Sequence, residues 1–578
     1  MNPIRIHLES SSPILRAGLE AVLVSTGRFE LAPDRESAEV LLLDSPDDAA
    51  EAPEQPAVAL SDGHAAELLR RGYHAVLPRE ASPFELRAAL EAAAAGVLGL
   101  TEPMMCGIGG DLFVLYREAK TGQIVGLNAS GPAPRAMSIE ALQAKGLKTM
   151  ASTGIHSSTV PGAVRGWEAM HKKYGKLPWR DLFTAAIALG ERGFPVHEFS
   201  SAYWESTNMR KNPESLRVFY PGGKAPREGE LFRNPDLARA YRTLAQGGPD
   251  AFYAGEVGRA ILATSQKLGG LMTAQDLASY QPEWVTPIAT TYRGWKVYEL
   301  PPNGQGLAAL SMLNMLETFT PAAAPNAVPE LHRKIEAMKL AYADLRYVAD
   351  PERVKVPTAG LISKEYAASR AKLINPARAN CDVQPGTPPG SSDTTYFSVV
   401  DREGNIAAWI QSVSGLWGSS VTVEGMGFQL HNRGGGFRFD PAHPNALAPG
   451  KRPFHTIIPA IAEKEDVHIG FGIMGGPNQP LAHAQFVSYL ADYGLNIQAA
   501  IEAPRFTKSN ATGCNVTVER RFGLEAISGL SHLGHQLTIV SDFSGGMGRG
   551  NVVLHNSRTK LNSAASDPRG DGAAIPEP

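Results

Sequence analysis

Cysteine is scarce in this sequence: 578 residues contain three, Cys106, Cys381 and Cys514. An odd number without paired spacing suggests neither a disulfide framework nor a zinc knuckle, so all three are expected to be small buried hydrophobes. Long apolar runs are missing as well. No stretch reaches the ~18 residues of a membrane span, and the start, MNPIRIHLESSSP, lacks the apolar core of a secretory signal. A cytoplasmic chain is expected. Neither sign of charge dominates: 55 Lys and Arg stand against 58 Asp and Glu, a formal net charge of -3. That balance gives no electrostatic footprint for nucleic acid or an anionic membrane as partner. Familiar catalytic signatures are absent too. The sequence has no zinc helix with paired histidines, no Walker phosphate loop, no CxxC pair and no G-x-S-x-G elbow. Metal and nucleotide chemistry are not indicated, and no cofactor is expected.

What is present is length enough for more than one core, with 58 Gly and 43 Pro to make many turns. Residues 1–98 alternate short apolar runs with helical patterns. Strands are expected at Ile4–Leu8, Val40–Leu43, Ala57–Leu60 and Ala75–Leu77, and helices over Ile14–Val24, Ala65–Arg71 and Pro83–Ala95. That alternation implies a parallel α/β sheet. PILRAGL (13–19), LLLDSP (41–46), the serine in ALSDG (59–63) and GYHAVLPREASPFELRAAL (72–90) carry a resemblance to a response-regulator receiver domain. The resemblance puts an acceptor aspartate at Asp44. It also puts Ser10 and Ser11 where an acidic pair would hold Mg²⁺, since a hard cation wants carboxylate oxygens. Arg79 takes the place of the lysine that would touch the phosphoryl group. A degenerate receiver used for packing or pairing is expected, rather than a phosphorylated signalling domain.

From residue 101 onward helices and Gly-rich turns mix. Leu331, Ile335, Met338, Tyr342 and Leu345 predict a helix over Glu330–Tyr347. The polar stretch NCDVQPGTPPGSS (380–392) reads as an exposed loop. Strands follow at Thr394–Val400 and Asn405–Val413, joined by a hairpin turn at Asp401–Asn405. A threonine opening a strand after a flexible loop is by itself an ordinary structural residue.

TTYFSVVDREGN (394–405) resembles the start of the small subunit of gamma-glutamyltranspeptidases, N-terminal-nucleophile hydrolases. EPMMCGIGGDLF (102–113), STVPGAVRGW (158–167), LPPNGQGLAALSMLNMLE (300–317), EAMKLAYADLRYVADP (336–351), GPNQPLAHAQ (476–485) and AASDPRGDGAA (564–574) repeat the resemblance in order along the chain. It implies an α/β (α+β) chain: a four-layer αββα sandwich built jointly from a large-subunit part (99–393) and a small-subunit part (394–578), after the receiver-like 1–98. It further implies self-cleavage between Asp393 and Thr394. The freed Thr394 would supply nucleophile and base together, its hydroxyl attacking and its α-amine taking the proton. By the same resemblance Gly475 and Gly476 in GIMGGPN (472–478) form the oxyanion hole, where bare backbone N–H groups can approach developing charge. A tight turn explains that glycine pair equally well. Ser412 matches a second hydroxyl near the nucleophile.

The substrate pocket departs from the family pattern. Ser130 holds the usual arginine position, and His455 and Thr456 replace paired serines. Gly436 stands where an acid would hold the substrate amine, and Arg433 where a glutamine is usual. An ammonium set against Arg433 without a carboxylate partner would be repelled and desolvated together. Arg433, His455 and Thr456 suit a carboxylate instead, since arginine offers a planar fork of donors. A loop salt bridge for Arg433 is the plain alternative. The expected activity is hydrolysis of a small amide bearing a carboxylate or of gamma-glutamyl type, resembling oxamate amidohydrolase and acylase-like members. Two alternatives stay open: an inactive scaffold, because a receiver-like segment replaces the family's opening strand and GGNAVDAA-like helix, and a classical glutathione hydrolase or transpeptidase. The expected partners are a small-molecule amide and the two subunits of the cleaved chain, with self-association into a homo-oligomer left open.

Overall fold

The computed structural model describes residues 94–383 and 395–575 in full, together with the backbone of five strands before them. The chain divides into two compact units, Met1–Leu86 and Arg87–Pro578. In the first, β1 (Ile4–Glu9), β2 (Phe29–Leu31), β3 (Val40–Asp44), β4 (Ala57–Leu60) and β5 (Ala75–Leu77) form a parallel sheet of order β2-β1-β3-β4-β5. Four of these strands follow the apolar runs of the sequence. β2 was not expected, because three residues are too few to display a period. The helices expected at 14–24 and 65–71, and most of that at 83–95, lie outside the described residues.

The second unit is built on two large antiparallel sheets, beside two smaller ones. Its elements run β6 (Asp111–Arg117), β7 (Ile124–Ala129), α1 (Ala163–Tyr174), β8 (Glu283–Val285), β9 (Ile288–Tyr292), β10 (Trp295–Glu299), α2 (Gly306–Glu317) and α3 (Val328–Asp344). After them come β11 (Thr395–Val400), β12 (Ile406–Ser412), β13 (Ala460–Lys464), β14 (Val467–Met474), α4 (Gln479–Tyr493), β15 (Arg549–Asn556) and β16 (Leu561–Ser566). One sheet has the order β8-β7-β6-β12-β11 and the other β9-β10-β13-β14-β15-β16. Each sheet therefore takes strands from both sides of the 393/394 junction.

Side-chain alternation builds the layers. On β6, Leu112, Val114 and Tyr116 face a helical core with Val164 and Trp167 of α1, while Phe113 and Leu115 face Tyr396, Ile410, Ile457 and Ile461 between the sheets. On the far side Ile469, Phe471 and Ile473 of β14 pack under Leu313, Met338 and Phe486 of α2, α3 and α4. The result is the expected αββα sandwich. Close approach of the sheets depends on missing side chains. A Cβ on Gly472 would lie 2.4 Å from the Tyr396 ring, and one on Gly470 would lie 2.5 Å from Ile406.

α3 begins two residues before the expected Glu330, because Pro329 fits the first helical turn, where its missing N–H is no loss. It ends at Asp344, and a tighter 3₁₀ turn covers Leu345–Tyr347. The hairpin turn is as expected: Gly404 has φ 84° and the Asp401 side chain accepts from the Asn405 N–H at 2.8 Å. Residues 94–101 are helical and lie in the core of the second unit, with the Ala95 carbonyl accepting from Gln411 (3.1 Å).

The expectation for cysteine needs correction. Cys106 is free and buried, but Cys381 and Cys514 are joined in a disulfide, their Cα atoms 4.8 Å apart across 133 residues of sequence. A pairing across that separation leaves no spacing signal; tertiary packing alone brings the two together. No helix among the described residues is long and apolar enough to cross a membrane.

Candidate active site

The ends of four strands converge where the two sheets face each other. β11 starts at Thr395, paired with Gln411; one residue further along β12, Ser412 pairs with Asp111, the first residue of β6. Met474 ends β14 of the opposite sheet, followed by Gly475 and Gly476. Asp393 and Thr394 lie outside the described residues. Their neighbour Thr395 donates its hydroxyl to Glu102 Oε2 at 2.6 Å. Burial pushes the Glu102 carboxyl up to about 7, with Asp571 adding to the rise and Thr395 and Arg549 opposing it. Burial and then the nearby Glu102 likewise push the Cys106 thiol up to about 12, leaving it un-ionised.

Ser412 is buried, and its Oγ accepts from the Ser414 N–H at 2.8 Å. The loop it opens holds Ser414, Trp417 and Ser420 at φ of 81°, 63° and 59°, a left-handed backbone that side chains disfavour and that packing must enforce. Gly475 has φ of 138°, a conformation essentially reserved for glycine, and Gly476 has φ of 58°, in the left-handed region that favours it. They lead through a 3₁₀ turn, Gly476–Asn478, into the 15-residue α4. Buried polar atoms surround the pair: Gln305 donates to the carbonyls of Thr456 (2.6 Å) and Gly476 (2.8 Å), while Gln305 Oε1, Asn478 Oδ1 and Gln479 Nε2 lack partners. His483 on α4 accepts from the Ile473 N–H at 3.1 Å, which fixes the strand just before the glycines.

Arg433, His455 and Thr456 come together around a residue that sequence reasoning missed, Asp111. Arg433 is 3% exposed and Nη1 donates to Thr456 Oγ1 at 2.8 Å, but its Nε and Nη2 have no partner. Burial pulls the guanidinium down to about 10, and Asp111 is the charge that opposes this. The Ile457 N–H points at His455 Nδ1 (3.4 Å), so Nε2 carries the proton and donates to Asp111 Oδ2 at 3.1 Å. Burial first, and then Arg433, lower His455 to about 3, so it is neutral. Burial would raise Asp111, but His431, His455 and Arg433 together hold it below the ordinary carboxylate range. Asp111 also accepts from the Gly131 N–H at 3.2 Å, and His431 lies 3.8 Å away.

Ser130 sits behind this cluster. Its Oγ donates to Asn128 (2.7 Å) and accepts from Asn303 (3.2 Å), whose carbonyl takes the His455 N–H at 2.9 Å. Gly436 has no side chain to contribute, and its carbonyl accepts from Asn445 at 2.8 Å. Asp111 stood inside GIGGDLF, and an acid between glycines and an apolar run was the available signal. His431 was visible in HNRGGGF, but nothing in sequence links it to residue 111.

A surface groove of about 610 Å³ is lined by Ile155, Asn212, Thr264, Ser419, Ser420 and Thr422 among others, and includes none of Ser412, Arg433, His455, Thr456, Gly475 and Gly476. Among the described residues one group could hold a metal by geometry: ligand atoms of His332, Glu336 and His535 lie within 4.8 Å of one another. Lys339 already donates to Glu336 at 2.6 Å, and His332 and His535 bond each other at 2.8 Å. A cation there would have to displace both interactions.

The model of the family described as gamma-glutamyltranspeptidase matches residues 88–577. The chain belongs to that family. It is an enzyme of the N-terminal-nucleophile amidohydrolase class with a self-processing ancestry. The chain is 33% identical over 509 residues to the glutathione hydrolase-like YwrD proenzyme of Bacillus subtilis, covering 86% of this chain and 95% of that protein. It is also 33% identical over 499 residues to the oxamate amidohydrolase proenzyme of Klebsiella pneumoniae, covering 83% and 92%. Among solved structures, the cephalosporin acylase of Bacillus halodurans superposes with a TM-score of 0.79 at 39% identity, covering 84% of this chain and 91% of that one.

Proposed function

We propose that this family member matures by cutting itself between Asp393 and Thr394 and then hydrolyses a small amide that carries a carboxylate. The Thr394 hydroxyl attacks the Asp393 carbonyl, the C–N bond gives way to an ester, and one water hydrolyses it. Asp393 keeps the new carboxylate and Thr394 gains a free α-amine. In turnover the same hydroxyl attacks the substrate amide, the amine takes its proton, and Gly475 and Gly476 donate to the tetrahedral oxyanion. The leaving amine departs protonated and water releases the acyl group. Ser412 orients the Thr394 amine. That its chain neighbour Gln411 pairs with Thr395, the first residue of β11, supports this role.

The carrying observation is Arg433: a buried guanidinium with unpartnered Nε and Nη2, bonded by its third nitrogen to a neutral hydroxyl. A substrate carboxylate would satisfy both free donors and compensate the charge. Gln305 bridges Thr456 and Gly476, which keeps this anchor one side chain away from the oxyanion glycines. Oxamate amidohydrolase among the relatives is consistent with such a substrate. Mass spectrometry and kinetics together test the proposal. Wild-type protein should carry a new N-terminus at Thr394, and Thr394→Ala should stay intact. Arg433→Met should still process, yet lose about 100-fold in kcat/KM for oxamate or glutaryl amides, the expected loss for one truncated partner of a buried charge pair. Much faster turnover of glutathione or a gamma-glutamyl anilide would overturn the carboxylate reading.

We further propose that the N-terminal segment is a degenerate receiver. Its parallel strand order β2-β1-β3-β4-β5, with Asp44 closing β3, is the flavodoxin-like order that receivers use, and this supports the reading.

A further inference from the structure

The disulfide lies on both sides of the proposed cut. Cys381 belongs to the large-subunit part and Cys514 to the small-subunit part, and Thr394 falls between them. Before cleavage such a bond merely closes a loop in one chain. Cleavage inside the loop opens it and leaves the sulfur–sulfur bond as a link between two separate polypeptides. We propose that Cys381–Cys514 is a covalent tether between the subunits, so that maturation never releases them as separable chains while the bond is oxidised. The inference rests on the cut at Asp393–Thr394 proposed above.

The surroundings show a site built to hold those two ends together. The Cys381 carbonyl accepts from the Gly513 N–H at 2.9 Å, the Cys514 carbonyl from the Gln536 N–H at 2.7 Å, and the Leu533 carbonyl from the Ala379 N–H at 2.7 Å. Asn380 is pinned from within the large-subunit part, its carbonyl by Lys339 (2.8 Å) and its N–H by Glu336 (3.2 Å). His332 and His535, from opposite parts, complete the seam. The last described stretch before the junction is thus stitched to small-subunit backbone at two points, Ala379 to Leu533 and Gly513 to Cys381, with the bridge beside them and Cys514 itself held by Gln536. Cys514 is 3% exposed, but Cys381 is exposed, so a thiol reductant can reach the bond. Formation is an ordinary exchange: two thiols pass two protons and two electrons to a small-molecule disulfide, which leaves as two thiols. Reduction reverses it and returns the subunits to a purely non-covalent association.

The test is denaturing electrophoresis of purified full-length protein, quenched in N-ethylmaleimide, with and without reductant, beside intact-mass measurement. The tether predicts one species without reductant, at the mass of the chain plus one water less the two hydrogens of the disulfide, and two species with it. Cys381→Ser should give two species in both lanes, and Cys106→Ser should behave as wild type. A peptide map should join the Cys381 and Cys514 peptides. Two wild-type species in both lanes would overturn the tether and leave self-cleavage standing. One wild-type species in both lanes would overturn self-cleavage and the tether with it. Should the serine variant fail to fold, reduction of the native wild type followed by reoxidation with oxidised glutathione gives the same reading: the bands must split and rejoin.

Discussion

Two buried carboxylates belong to the candidate site, Glu102 bonded to Thr395 and Asp111 in the cluster of Arg433 and His455, and their surroundings drive them in opposite directions. Asp111 receives N–H donors and faces a guanidinium, so it stays ionised; Glu102 receives a single hydroxyl, and burial holds its proton. The sign of the stability effect follows. Between the ordinary 4.5 and about 7, the unfolded chain has lost the Glu102 proton while the folded chain keeps it, so this group lowers stability as pH rises through that window. Below 4.5 it contributes nothing, and above about 7 its penalty is constant. Glu102→Gln should remove that decline, a difference of no more than about 3 kcal/mol at pH 8 and near zero at pH 4. Urea midpoints of the two proteins across this range check it; parallel curves would assign the proton elsewhere.

At the scale of elements, the sheet spacing decides where β11 starts. β14 carries Gly470 and Gly472 where neighbouring residues are apolar, and the Tyr396 ring occupies the space a Cβ on Gly472 would need. Tyr396 lies two residues from Thr394. Gly472→Ala should therefore shift the start of β11 before it unfolds anything: overpacking of this kind costs about 1–3 kcal/mol. The expected outcome is a slowed or abolished cut with the fold retained. Comparing the processed fraction on a gel with the thermal unfolding midpoint checks this; normal processing with lowered stability would separate sheet spacing from maturation.

At the scale of the whole molecule, each sheet and the helical layer over β14 draw on both sides of the junction, so a cut at Thr394 severs connectivity without dividing a core. The disulfide then has two different energetic roles. In a Thr394→Ala precursor it closes a loop spanning 133 residues, worth up to about 5 kcal/mol by loop entropy. In the mature protein it makes reassociation of the two chains intramolecular. Thr394→Ala with Cys381→Ser should therefore lose stability independently of protein concentration. Reduced mature enzyme should instead unfold at a midpoint that falls on dilution, while oxidised mature enzyme should not. Denaturant curves at two concentrations a hundredfold apart distinguish these cases.

The sequence by itself determined the helix near 330–347 and the strand pair after the junction, because period-3.6 and period-2 patterns are local, and it determined the family, because many short motifs recur in order. It also brought Arg433, His455 and Thr456 forward as a group, since each stood at a place where the family pattern broke. Tertiary structure alone decided their partner. Asp111 lies more than three hundred residues from Arg433 and meets it only because β6 pairs with β12 between the layers. The same holds for Cys381 and Cys514, which no spacing could pair, and for the glycines of β14, whose need for a missing Cβ comes from a ring on the opposite sheet. Local patterns fix what each segment becomes; charge compensation, cross-linking and close approach are properties of pairs, and only the folded chain chooses the pairs.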